Sequence, residues 1–176
     1  MTRIFVGVKM PEKIKNLSAR WAQGKPGWPV RWIKPENLHL TLAPPFYKND
    51  LDDIMAKLAE IEASAASAVL HFHTISYGPP GNFRLIWAVG WPCPALAKLK
   101  AEIERKLNLK AETRDFLPHL TLARFKPEAY GKFKVKKLEE RIDWLAEVES
   151  FSLFESSLTP AGAEYKILKS FSLWKK

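Results

Sequence analysis

The pentapeptide His-Leu-Thr-Leu-Ala occurs twice in this sequence, at His39 to Ala43 and again at His119 to Ala123. In each copy the leucines alternate with His and Thr. Because a β-strand has a side-chain period of two, it would place the leucines in a core and His and Thr together on the other face, about 7 Å apart. Two such strands facing each other would present two imidazoles and two hydroxyls to one cleft.

Paired histidines suit the hydrolysis of a phosphodiester. That reaction needs a base to deprotonate water and an acid to protonate the leaving alkoxide, and imidazoles with pKa values near 6.5 can fill both roles at neutral pH. The hydroxyls of Thr41 and Thr121 can donate hydrogen bonds to phosphate oxygens without adding charge. Arg124, directly after the second copy, carries a guanidinium suited to phosphate. We therefore predict catalysis by His39 and His119, with the two threonines and the arginine binding the substrate.

A metal site is the main alternative use of two histidines. Zinc requires three or four converging ligands. The acidic residues that follow the two motifs most closely are Asp50 and Glu128, and the only cysteine, Cys93, has no second thiol to act with it. We therefore expect neither a metal nor another cofactor.

Apolar spacing predicts the elements that position these residues. Helices are expected from about Pro11, from Leu51 with Asn49 or Asp50 as the N-cap, and from about Pro94. Two strands, at residues 69–77 and 83–89, are joined by a turn rich in Gly and Pro at 78–82. Strands and helices mix without strict alternation, which favours an α+β class with antiparallel sheets.

The C-terminal third is predicted to contain a short fourth helix and two strands. The helix is indicated by Leu138, Ile142 and Leu145. The strands flank a turn at residues 159–162, and a period of two places four apolar side chains of the second strand on one face, namely Tyr165, Ile167, Phe171 and Leu173.

Composition agrees with a compact enzyme that meets polyanions. The chain has 176 residues, of which 47% are hydrophobic, and is expected to form one domain over residues 1–176. No apolar run has the length of a membrane span and no secretion signal is recognisable, so we expect no membrane association. A single cysteine fits the reducing cytoplasm. The net charge of +9 favours nucleic acid as a partner.

The other two histidines and the tryptophans near the motifs receive no catalytic role. His71 and His73 would share one strand face opposite Leu70 and Phe72. They have no second copy, so we interpret them as surface or cleft-rim residues. Trp32 and Trp87 fall in strand patterns near the motifs, and neither is assigned to the substrate.

The paired motifs with their flanks resemble those of the 2H phosphoesterases. The second copy reads Pro-His-Leu-Thr-Leu-Ala-Arg over residues 118–124, and the similarity extends to residues 3–8, 32–38, 83–87, 156–158 and 165–168. The likeness is greatest to the RNA 2′,3′-cyclic phosphodiesterase branch, long labelled 2′-5′ RNA ligase. That family commonly continues its first motif with Phe-Leu-Gly, whereas this chain has Pro44, Pro45 and Phe46. Phe46 is therefore our candidate for an aromatic that binds the base.

The resemblance implies a fold and a reaction. The fold is bilobal, with two similar sheet-and-helix lobes related by a pseudo-twofold axis and one His-x-Thr strand from each lobe lining the cleft. The reaction opens a 2′,3′-cyclic phosphate on RNA or a nucleotide and leaves a 2′-phosphate, with His39 as proton donor and His119 as proton acceptor. No obligate protein partner is implied.

Two alternatives to this activity remain open from the sequence. One is an enzyme acting on another phosphate, such as a 2′-5′ phosphodiester or a small cyclic nucleotide derivative, and the other is a non-catalytic module that binds nucleotides or RNA in the same pocket. The presence of both histidines and both threonines favours an enzyme.

Overall fold

The computed structural model describes residues 1–174 apart from residues 63, 113 and 161. Within this part the chain forms nine strands, three α-helices and two short 3-10 helices. In chain order these are β1 (Thr2–Lys9), α1 (Glu12–Gln23), β2 (Arg31–Trp32), a 3-10 helix (Pro35–Asn37), β3 (His39–Lys48), α2 (Leu51–Glu62), β4 (Ala68–Gly78), β5 (Leu85–Gly90), α3 (Pro94–Lys106), β6 (His119–Arg124), a 3-10 helix (Pro127–Lys132), β7 (Glu139–Val148), β8 (Ser150–Thr159) and β9 (Gly162–Ser172).

The strands form two antiparallel sheets. One has the order β3-β1-β8-β9 and the other the order β2-β6-β5-β4-β7. The two His-x-Thr strands therefore belong to different sheets, and β3 and β6 approach each other directly. The sheet orders β3-β1-β8-β9 and β6-β5-β4-β7 correspond, with β2 as an added edge strand. The predicted α+β class with antiparallel sheets is confirmed.

A hydrophobic core unites both sheets with the three helices. The leucines of the two motifs are within it, since Leu40, Leu42, Leu120 and Leu122 are each no more than 1% exposed. The three predicted helices are confirmed as α1, α2 and α3. The carboxylate of Asp50 accepts a hydrogen bond from the backbone N–H of Asp53 at 2.9 Å, which identifies Asp50 as the N-cap of α2. None of the helices in the described residues has the length and apolar character needed to cross a bilayer.

The predicted fourth helix is wrong, because these residues form strand β7. Trp144, Ala146 and Val148 are buried, while Leu145 is 43% exposed, so the strand period of two governs this segment. β7 pairs with β4 along its length. Those ladder hydrogen bonds and the burial of Trp144 outweigh the weak helical spacing of the leucines.

The predicted single apolar face of the last strand is also wrong. The pairing of β8 with β9 shifts register between Leu153, which is opposite Lys169, and Phe154, which is opposite Ile167. One extra residue in β9 reverses the faces on either side of it. Phe171 and Leu173 are therefore in the core, whereas Tyr165 lines a cavity. Ala161, in the predicted turn before this strand, lies outside the described residues.

Candidate active site

The histidine and threonine of each motif face one cavity of about 250 Å³. His39 and Thr41 come from β3, and His119 and Thr121 from β6. The intervening leucines point into the core. Strand alternation thus separates structural from polar side chains in both copies, and contact between β3 and β6 brings the two polar sets together.

A matching β-bulge follows the threonine in each motif. The pairing of β1 with β3 shifts register between Val6 and Gly7, and the pairing of β5 with β6 shifts between Ile86 and Trp87. The bulge places two successive residues of the motif, Leu and Ala, in the core in both copies. The residue after them returns to the cavity side, and in the second copy this residue is Arg124.

Donors from outside the ladder satisfy the carbonyl that each bulge displaces. The oxygen of Leu42 accepts a hydrogen bond from Nζ of Lys100 on α3 at 3.2 Å. The oxygen of Leu122 accepts one from the backbone N–H of Ile33 at 2.8 Å. Lys100 is itself buried and is paired with Glu104. The equivalent geometry of both motifs is therefore stabilised by different partners.

Both histidines are oriented by the same local hydrogen bond. Nδ1 of His39 lies 2.7 Å from the carbonyl oxygen of Asn37, and Nδ1 of His119 lies 3.0 Å from that of Leu117. Because a carbonyl only accepts, each Nδ1 carries a proton and donates it. Nε2 is then the nitrogen that gains or loses a proton in both rings, and it is left available for the cavity.

The ring of His39 packs among aromatic side chains of its own sheet. Its centroid lies 4.8 Å from that of Phe5 and 5.1 Å from that of Tyr165. Burial there lowers the pKa of the His39 imidazole below its ordinary value, against the smaller opposing effect of the hydrogen bond to Asn37. The guanidinium of Arg124, and a positive charge on His119 when that ring is protonated, also lower the pKa of His39.

The ring of His119 packs on a tryptophan. The centroids of His119 and Trp87 are 5.0 Å apart, and Trp87 is held by a hydrogen bond from its Nε1 to Oγ of Ser76 at 2.9 Å. The indole lies against the backbone of Gly78, where a Cβ would be only 2.1 Å from the ring. Glycine is therefore required at this position to admit the side chain on which His119 packs.

The threonine hydroxyls and three cations complete the polar wall. Within the described residues neither Thr41 nor Thr121 forms a side-chain hydrogen bond, so both hydroxyls are available to a ligand. Arg124 and Arg31 are direct neighbours in the pairing of β2 with β6, and both line the cavity with Lys34. Neither arginine forms an ion pair in the described part of the chain. Adjacent like charges without a counter-ion favour an anionic ligand.

Five of the six predicted site residues are brought together in this cavity, and Phe46 is not. His39, His119, Thr41, Thr121 and Arg124 all line it. The backbone of Phe46 pairs with that of Ile4, a core residue, and its side chain packs against the core. We therefore withdraw Phe46 as a residue that binds the base.

Sequence reasoning missed several residues of the lining. Tyr165 is contributed by β9, and Arg31, Lys34 and Asn37 by the segment that leads into the first motif. Nδ2 of Asn37 donates to the carbonyl of Ala163 at 2.8 Å, so that segment is tied to the β8–β9 hairpin. Residues 32–38 and 165–168 are among the flanking segments that resemble the family, and this resemblance could have identified them as parts of the site.

The remaining histidines lie outside the cavity lining. Nε2 of His71 is 2.6 Å from Oδ1 of Asp143, and His73 stacks on Trp91. Among the described residues no group of three or more His, Cys, Asp or Glu side chains is arranged to hold a metal ion.

This chain is similar to known proteins over most of its length. The sequence model of the 2′-5′ RNA ligase superfamily matches residues 11–159. The RNA 2′,3′-cyclic phosphodiesterase of Archaeoglobus fulgidus is 31% identical over 96% of this chain and 99% of the relative. That of Thermotoga maritima is 29% identical over 94% of this chain and 92% of the relative. The protein TT0787 of Thermus thermophilus has a TM-score of 0.77 at 25% identity, covering 97% of both chains. E. coli LigT complexed with 3′-AMP shares the fold, with a TM-score of 0.77 at 22% identity over 98% of both chains.

Proposed function

This chain belongs to the 2′-5′ RNA ligase superfamily, whose sequence model matches residues 11–159, and from that premise we propose that it hydrolyses RNA 2′,3′-cyclic phosphate ends to 2′-phosphates. The observation that carries the proposal is the symmetrical pair of histidines. Each has Nδ1 occupied by a backbone carbonyl and Nε2 available to the same cavity. The relatives named RNA 2′,3′-cyclic phosphodiesterase cover nearly all of this chain, which supports the same activity here.

The reaction requires one proton to be removed and one to be supplied. Nε2 of His119 takes a proton from water, and the resulting oxygen forms a bond to phosphorus. The bond between phosphorus and the ribose 3′ oxygen breaks, and Nε2 of His39 gives its proton to that oxygen. The product carries a 2′-phosphate and a free 3′ hydroxyl. The two histidines exchange protonation states, and solvent restores them.

The pKa of His39 bears on this assignment. Burial lowers that pKa, so His39 is mainly neutral near pH 7 in the free protein, whereas a proton donor must be protonated. The phosphodiester is an anion, and bound beside His39 it raises the pKa of the imidazole by the opposite-charge effect. We propose that substrate binding itself charges His39. The assignment of donor and acceptor follows the family resemblance.

The polar wall stabilises charge that develops on the phosphate. The hydroxyls of Thr41 and Thr121 donate to the non-bridging oxygens, and Arg124 pairs with the growing negative charge. These groups stand on strands whose opposite faces are fixed in the core, so they need little rearrangement during the reaction. No step requires a metal ion.

The decisive experiment is hydrolysis of an RNA ending in 2′,3′-cyclic phosphate in the presence of EDTA, with ³¹P NMR to identify the product. We expect full activity and a 2′-phosphate. His39→Ala and His119→Ala should each lower turnover by a factor on the order of 10² to 10⁴. His71→Ala is the matched control, because His71 is paired with Asp143 outside the cavity lining. Loss of activity on chelation with rescue by a divalent metal would overturn the proposal.

The roles of acid and base are separated by a substrate whose leaving group needs no protonation. On a nitrophenyl phosphodiester, His39→Ala should recover much of its lost rate relative to the unaltered protein, while His119→Ala stays impaired. The reverse pattern would exchange the two roles. Equal impairment of both variants would indicate phosphate binding instead of proton transfer.

A further inference from the structure

We propose that Trp91, stacked on His73, forms a second nucleoside-binding subsite that holds a base upstream of the cyclic phosphate end. This inference rests on the proposed function, because it assigns part of the same RNA substrate to a surface outside the catalytic cavity. Trp91 is 55% exposed although it is one of the largest apolar side chains.

The position of Trp91 is continuous with the catalytic residues. His119 on β6 is directly opposite Val89 on β5, and Trp91 lies two residues beyond Val89 on the same face. From strand geometry the Cα atoms of Trp91 and His119 are about 8 Å apart. The backbone N–H of Trp91 donates to the carbonyl of His71 at 2.9 Å, so the indole is presented from an anchored strand end.

A β-bulge in the neighbouring strand supplies the support for the indole. Phe72 pairs with Gly90 and Thr74 with Val89, so His73 is the extra residue in β4. Its imidazole lies 3.9 Å from the Trp91 ring with an interplanar angle of 24°, and its Nδ1 is 2.8 Å from Oγ1 of Thr74. Bulges often redirect a side chain beside a site. Here the redirected imidazole stacks on the indole, and the indole still has more than half of its surface free to bind a base.

A cation, Arg141, lies on this sheet at the end of the row of paired residues that begins with His119. Thr74 pairs with Val89 on one side and with Arg141 on the other, so one row runs from His119 through Val89 and Thr74 to Arg141. Arg141 is exposed and, within the described residues, forms no ion pair. Its guanidinium can therefore bind a phosphate of a chain that crosses this face.

The chemistry of the substrate indicates that the RNA strand on the 5′ side of the cyclic phosphate binds to this face. A cyclic phosphate ends the RNA at its 3′ side, so the remaining nucleotides leave the cavity in the 5′ direction only. A face that offers an aromatic ring near His119 and, three strands away from His119, a cation fits that strand, since stacking accepts any base. Leu145 is also exposed here, at 43%, opposite His71. A second copy of this chain covering these side chains is the alternative that the test must separate.

The test compares kinetics on a nucleoside 2′,3′-cyclic phosphate with kinetics on a short oligoribonucleotide ending in the same group. In Trp91→Ala we expect KM for the oligoribonucleotide to rise about five- to a hundred-fold, with kcat unchanged, because remote stacking contributes uniform binding. Both constants for the mononucleotide should be unchanged. His73→Ala should also raise KM for the oligoribonucleotide alone, by a smaller factor. Trp174→Ala is the control, since Trp174 is 47% exposed but follows β9 outside this face.

Several results would overturn the inference. One is an equal effect of Trp91→Ala on both substrates, which would make Trp91 a support of the catalytic cavity. Another is a KM for the oligoribonucleotide that is unchanged in Trp91→Ala. A dimer in sedimentation that dissociates in Trp91→Ala would assign the face to a second copy. Binding of a labelled RNA ending in 2′-phosphate, followed by anisotropy, needs no turnover. Weaker binding by Trp91→Ala supports the subsite even if the proposed hydrolysis fails.

Discussion

Replacing Gly78 with Ala should displace Trp87, the side chain on which His119 packs. The added Cβ would lie 2.1 Å from Cε2 of Trp87, whereas carbon atoms in contact are about 3.5 to 4.0 Å apart. The indole must therefore move by roughly 1.5 Å, breaking its 2.9 Å hydrogen bond to Ser76. Overpacking costs about 1 to 3 kcal/mol and the lost hydrogen bond about 1 kcal/mol more. We expect a loss of about 2 to 4 kcal/mol in the free energy of unfolding.

Catalysis should suffer beyond this loss of stability. Trp87 packs against His119 and pairs with Thr121 across the strands, so its displacement moves both. Misplacement of a catalytic group by about 1 Å costs on the order of 10² in rate. Gly78→Ala should therefore lower kcat by about that factor at temperatures where the variant is fully folded.

A double-mutant cycle provides the assay. Trp87→Leu removes the ring that the new Cβ would meet, so adding Gly78→Ala to it should cost much less than in the unaltered protein. Urea denaturation measures the coupling free energy, expected at about 1 to 3 kcal/mol. Gly131→Ala is the matched control, since a Cβ there meets nothing within 4 Å. Additive free energies, or normal kcat in folded Gly78→Ala, would refute this reasoning.

Three other predictions follow from the site and its supports. Thr41→Val and Thr121→Val each remove a hydrogen-bond donor while keeping the side-chain shape. In each variant kcat/KM should fall by the equivalent of about 1 to 3 kcal/mol, with stability nearly unchanged. Normal kinetics with a lowered melting temperature would show the hydroxyls to be structural. Lys100→Met leaves the buried Glu104 carboxylate without its cation and should cost about 3 to 5 kcal/mol in urea denaturation. Adding Glu104→Leu should recover part of this loss, because the Leu42 carbonyl still lacks its donor; a double variant as unstable as the single one would contradict this. Folding lowers the pKa of His39, so the unfolded chain takes up this proton first and the unaltered protein loses stability as pH falls through about 6.5. His39→Asn should therefore gain stability relative to the unaltered protein as pH is lowered from about 7.5, and a difference independent of pH would rule this out.

The sequence by itself determined the strands that carry the chemistry and the face that each residue takes. In His-Leu-Thr-Leu-Ala polar and apolar residues alternate with the period of a strand, so the buried leucines and the cavity-facing His and Thr could be predicted. The hydrogen bond from each histidine to the carbonyl two residues earlier is equally local. Short-range geometry depends on neighbouring residues, which the sequence shows directly.

Only the tertiary structure decided how the two copies differ. The motifs are identical, yet His39 packs on Phe5 and Tyr165 whereas His119 packs on Trp87. These partners come from other strands, and Tyr165 is far along the chain. The bulges behave in the same way, because a register shift depends on the pairing of two strands and not on either alone. Long-range pairing also converted the expected helix at residues 138–145 into β7, since neighbouring strands supply hydrogen bonds that local propensity does not contain.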